Sequence, residues 1–75
     1  MAIETRPAPE LHVEPVESGR WVVCYQHCRQ PLSEHPTASE AEMCAQRRAR
    51  TEGIALVLLH DSYARVRDVS KLLAP

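Results

Sequence analysis

The side chains best suited to chemistry in this chain are its three cysteines and four histidines, and Cys24, His27, Cys28, His35 and Cys44 fall close together along it. Thiolate and imidazole are donors that zinc prefers. Their spacing argues against a zinc site. Structural sites repeat close ligand pairs such as C-x-x-C, whereas Cys24 and Cys28 are separated by a full four positions and Cys44 falls on the apolar side of a predicted helix. The expectation is therefore no metal and no cofactor, with these thiols buried or at the surface. Cys28 beside His27 is the one local pairing of a nucleophile with a base, but adjacent residues of an extended chain point to opposite faces. A domain with one helix and a thin core has little room for a pocket that excludes water, so no enzymatic activity is expected. His12 and His60 are each read as a hydrogen-bonding residue at a strand edge or end.

A second chemistry is phosphate binding. Arg47, Arg48 and Arg50 form the densest basic cluster, and Arg20 and Arg29 in nearby turns extend it, so that Arg20, Arg29, Arg47 and Arg50 make a candidate nucleic-acid footprint. The competing reading is stronger. Glu40 and Glu42 open the same helix and the arginines close it, which is the order that complements a helix dipole. Trp21 and Tyr25 at a spacing of four on a strand suit base stacking if exposed, or packing beneath a helix of small residues, and packing is favoured on volume.

Stepping out to the elements, Leu11 to Val16 alternates as a strand, which Pro15 confines to an edge or keeps short. Glu17 to Arg20 is a hairpin turn. Trp21 to Cys28 is the clearest strand, with Trp21, Val23 and Tyr25 on one face and Val22, Cys24 and Gln26 on the other. Arg29 to His35 is a further strand interrupted by Pro31. Thr37 opens a helix through the T-A-S-E capping box, its hydroxyl accepting from Glu40 N–H and the Glu40 carboxylate reaching back to the Thr37 amide. Gly53 closes the helix as a left-handed cap. Ala38, Ala41, Cys44, Ala45 and Ala49 lie on one side of it, with Arg48 snorkelling out along the stripe. Ile54 to His60 is apolar on both faces, which predicts a central strand. After a turn at Asp61 to Tyr63, a last strand places Ala64 and Val66 on one side and Arg65 and Arg67 on the other. Asp68 and Ser70 begin a C-terminal turn or contact a ligand. No repeat is visible.

These elements predict an α+β fold: an antiparallel sheet of four to five strands with one helix, Thr37 to Glu52, packed on one face. Residues 1–10 are expected as a flexible N-terminal tail and residues 11–75 as a single domain. The expected core is Trp21, Val23, Ala41, Ala45, Ala49, Leu56 and Leu58, with Val57 and Leu59 as replacements, because a strand apolar on both sides does not say which side the helix covers. With 75 residues, 44% of them hydrophobic and no Phe, the core must be built from Val, Leu, Ile and Ala.

Charge and cysteine usage limit the partners. The formal net charge of -1 is far from that of a dedicated nucleic-acid binder. Three cysteines cannot all pair, and no charged-then-apolar leader precedes them, so reduced thiols in the cytoplasm are expected. The longest apolar run, Ile54 to Leu59, is much too short to cross a bilayer, so no membrane association is expected.

The chain also resembles an uncharacterised family of short bacterial domains. The motifs are His12-Val13-Glu14-Pro15, Gly19-Arg20-Trp21-Val22-Val23, His35-Pro36-Thr37, Glu40-Ala41 with Ala45 and Ala49, Leu58-Leu59-His60, and Arg65-Val66-Arg67-Asp68 with Ser70. The resemblance spans roughly residues 12–70. It implies strand, strand, helix, strand, strand, with room for one more strand before the helix, and no activity. Ala64 departs from the glycine usual in that family, which argues against a left-handed turn there.

The leading functional expectation is a small non-catalytic module that self-associates, as a homodimer, or binds another protein through the sheet face away from the helix. Val22, Cys24, Val57 and Leu59 are its candidate contact residues, since they would otherwise face water. The alternative is weak nucleic-acid binding through the basic end of the helix.

Overall fold

The computed structural model describes residues 10–26, 28, 30–63 and 65–70. Five strands and one helix follow in the order β1 (Glu10–Pro15), β2 (Trp21–Tyr25), β3 (Ser33–His35), α1 (Ala38–Glu52), β4 (Leu56–His60) and β5 (Val66–Asp68). The α+β architecture and the further strand before the helix agree with expectation. The expected tail overlaps the first strand by one residue, Glu10, and its remainder lies outside the described residues. So do His27, Arg29 and Ala64.

The sheet runs β3-β2-β1-β4-β5, which places β1 at its centre. Three pairings are antiparallel, but β1 and β4 are parallel, so the sheet is mixed rather than purely antiparallel. The cause is the helix. Strands β1 to β3 reverse direction at each turn, and α1 then carries the chain back across the sheet, so β4 enters beside β1 running the same way. Pro15 is accommodated at the end of β1 opposite Trp21. The edge strands β3 and β5 are only three residues each, which limits the unpaired backbone they present.

The helix forms where its caps dictate. Thr37 is extended (φ -134°, ψ 155°) and its hydroxyl accepts from Glu40 N–H at 3.1 Å, while the Glu40 carboxylate meets that hydroxyl at 3.3 Å. At the other end Gly53 adopts φ 72°, and the Ala49 carbonyl accepts from Gly53 N–H and, at 2.8 Å, from Ile54 N–H. This pair of bonds turns the chain so that Ile54 drops into the core.

Alternation then sorts the side chains. Leu11 and Val13 of β1 face the helix with Val23, Val57 and Leu59, against Ala41, Ala45, Ala49, Ile54 and Val69. Trp21, Tyr25 and Leu32 pack around this cluster, so the two aromatics are core partners and no exposed stacking platform. Leu11, Val13, Val23 and Val57 are completely buried, each contributing about 1.5–3 kcal/mol relative to exposure. The orientation of β4 is thereby decided: Val57 and Leu59, not Leu56 and Leu58, meet the helix. Gln46 is buried on the inner side of the helix, where its Nε2 donates to the Val69 carbonyl at 2.7 Å and ties the C-terminal segment down.

Candidate functional site

The face of the sheet away from α1 brings together two histidines and two carboxylates. Glu10, His12 and Glu14 alternate along β1 with buried Leu11 and Val13, so all three project from this face. In β4 the register sets His12 opposite Leu58, which puts His60 two residues further along the neighbouring strand on the same side. The two imidazoles close that diagonal. His12 Nδ1 lies 2.7 Å from His60 Nε2, and the rings meet edge to edge with centroids 4.9 Å apart and planes inclined at 27°.

Glu10 completes the arrangement from the other side. Its Oε1 is 3.1 Å from His12 Nε2, in surroundings that leave the His12 side chain only 15% exposed. A carboxylate oxygen accepts, so Nε2 carries the proton and Nδ1 presents a lone pair to His60. Glu14 brings a carboxylate to the opposite flank: one ring nitrogen of each histidine and one Glu14 oxygen all lie within 4.8 Å of one another. Cys24, paired with His12 across the β1 and β2 ladder, directs its thiol to the Glu14 Oε2 and to the His12 carbonyl, each at 3.8 Å. Burial, reinforced by the nearby Glu14 carboxylate, pushes this thiol up to about 11, so it is protonated at neutral pH.

The residues singled out from sequence fall elsewhere or in part. Val22 and Cys24 do lie on this face, but Val57 and Leu59 lie in the core on the helix side, so the apolar set does not form one surface. The reason is the parallel register of β4, which turns Leu56 and Leu58 to the far side instead. Arg20 is at the sheet margin, 3.4 Å from Glu34. Arg47 and Arg50 are exposed on α1 on the opposite side of the molecule, and Arg29 is outside the described residues. Arg48 reaches along the helix to Glu52 at 2.8 Å, and Glu52 also accepts from the Tyr25 hydroxyl at 2.6 Å.

The cysteines and histidines weighed as zinc ligands are divided by the sheet. His35 and Cys44 lie on the helix side, bridged by Ser33, whose Oγ is 2.8 Å from His35 Nε2 and 3.6 Å from Cys44 Sγ. Cys24 is on the other face and Cys28 is exposed at the end of the β2 turn. The grouping that does form, His12, Glu14 and His60, contains no residue of that set. Its local half was visible as alternating Glu10, His12 and Glu14, but His60 joins only through a strand pairing 48 residues away.

No helix among the described residues is long and apolar enough to cross a membrane. Comparison with protein-family models, curated proteins and solved structures found no match, so the functional reading rests on this geometry.

Proposed function

We propose that this chain is a small non-catalytic interaction domain that docks a partner protein on the sheet face away from α1. The observation that carries this reading is the composition of that face. Leu56, Leu58 and Val66 lie on the adjacent strands β4 and β5, with Val22 on β2 beyond the polar row of β1; Val66 is 53% exposed, and no described element packs over them. Apolar side chains grouped in this way favour removal from water by a partner. Glu10, Glu14 and Asp68 share the face, while Arg20 at its margin is engaged by Glu34. The complementary partner therefore offers apolar side chains flanked by Lys or Arg, rather than a second copy with the same acidic groups or a polyanion. The three free thiols support the cytoplasmic location expected from the sequence.

Backbone amide spectra of labelled protein test this directly, using an amphipathic lysine-leucine peptide as probe and its glutamate-leucine counterpart as control. Shifts at Val22, Cys24, Leu56, Leu58 and Val66 with the basic peptide, lost in Leu58→Asp, are the expected result. Shifts at these amides that track protein concentration without peptide would make a second copy the occupant and overturn the assignment. Salt-sensitive shifts around Arg47 to Gly53 on adding duplex DNA, with the sheet face silent, would overturn it in favour of nucleic acid.

A further inference from the structure

We propose that His12, His60 and Glu14 bind one zinc-class divalent transition-metal ion on the sheet face. The donor set is two imidazole nitrogens and a carboxylate oxygen, the combination found in zinc sites with three protein ligands and an open fourth position. The three donor atoms lie within 4.8 Å of one another. Around a tetrahedral ion with bonds of about 2.0–2.1 Å, ligand atoms sit about 3.4 Å apart. The set therefore contracts around the ion on the Glu14 side, and the 2.7 Å approach of the two ring nitrogens opens to about 3.4 Å. The ligands project from the neighbouring strands β1 and β4 on one face of the sheet.

Two features separate this cluster from an ordinary histidine pair. First, Glu10 holds His12 Nε2 at 3.1 Å, the carboxylate-histidine arrangement that orients a metal ligand and leaves Nδ1 to coordinate. Second, all three ligand residues are half-buried, the His12 side chain to 15% exposure. In the metal-free protein His12 Nδ1 accepts from the N–H of His60 Nε2. Coordination replaces that bond: the His60 proton moves through solvent to Nδ1, and Nε2 gives its lone pair to the ion, so both rings stay neutral. Calcium and magnesium, which take oxygen ligands, do not suit a site with two nitrogens. The proposal does not depend on the docking reading, since it concerns the isolated chain.

The test is a zinc chloride titration of the full chain, followed by calorimetry and by long-range ¹H–¹⁵N spectra of the histidine rings. One ion per chain is expected, with coordination shifts at Nδ1 of His12 and Nε2 of His60. His12→Ala and His60→Ala should each weaken binding by about 100-fold or more, and Glu10→Gln by about 10- to 100-fold. His35→Ala and Cys44→Ser, both on the helix side of the sheet, should leave it unchanged. His60→Gln replaces His60→Ala if amide spectra show that variant unfolded. Absence of stoichiometric binding, ring shifts at His35 instead, or binding that survives loss of His12 and His60 would each overturn the proposal.

Discussion

His12 and His60, 48 positions apart in the chain, meet with their ring nitrogens 2.7 Å apart. They do so because β1 and β4 are parallel neighbours at the centre of the sheet, and their side chains share the face opposite the helix. The same register sends Val57 and Leu59 into the core, so the histidine pair and the core are two consequences of one strand placement.

That placement predicts opposite outcomes for adjacent substitutions. Val57→Asp buries an unpaired carboxylate among Leu11, Val13 and the helix alanines and should abolish folding, whereas Leu58→Asp should leave a folded chain. Leu11→Ala should cost about 2–5 kcal/mol, comparable to the whole stability expected of a domain this small. Urea denaturation followed by Trp21 fluorescence measures all three. Equal loss of stability in Val57→Asp and Leu58→Asp would contradict the observed facing of β4.

The two helix caps should act independently. Thr37→Ala removes the acceptor of Glu40 N–H and should cost about 1 kcal/mol. Gly53→Ala forces a Cβ into the left-handed region at φ 72°, where no neighbouring atom clashes, so the cost is backbone strain of about 1–2 kcal/mol. The residues close opposite ends of α1, and the double variant should lose the sum.

The thiols should differ in reactivity. At pH 8 a thiol pushed up to about 11 holds roughly a hundredfold less thiolate than one at the ordinary 9.0, so Cys24 should resist iodoacetamide. Cys28 is exposed and should react first. Mass spectrometry of a time course identifies the order. Glu14→Gln removes the neighbouring charge and should speed Cys24 only in part, because burial is the larger cause.

Stability should fall on the acid side. Glu52 is held below its ordinary 4.5, chiefly by the Tyr25 hydroxyl and also by Arg48. Asp61 is held below 3.8, first by the Arg65 N–H and then by that of Tyr63, and Asp68 is lowered by the Ser70 side chain and backbone. Each group binds a proton more readily in the unfolded chain. Its contribution is therefore present above the ordinary value and is lost as pH falls through the lower folded one. Urea midpoints measured downward from pH 7 should begin to drop near the ordinary carboxylate range, and Tyr25→Phe should make that drop shallower.

Read from the amino acids alone, the helix and its ends are determined by local chemistry. Thr37, Glu40 and Gly53 act over a few residues, and the alanine stripe needs only the helical repeat to define its buried side. The facing of Trp21, Val23 and Tyr25 is likewise local, because β2 differs enough between its two sides for alternation to carry a signal. Only the tertiary structure decided the facing of β4. Ile54 to His60 is apolar on both sides, so alternation there carries no information, and the choice between Val57 with Leu59 and Leu56 with Leu58 waits on the parallel pairing with β1. The candidate site divides in the same way. Glu10, His12 and Glu14 share a face by strand geometry that the sequence contains, whereas His60 reaches them only through a crossover by α1. Strand pairing at long range depends on how the helix carries the chain across the sheet, and no local residue pattern encodes that path.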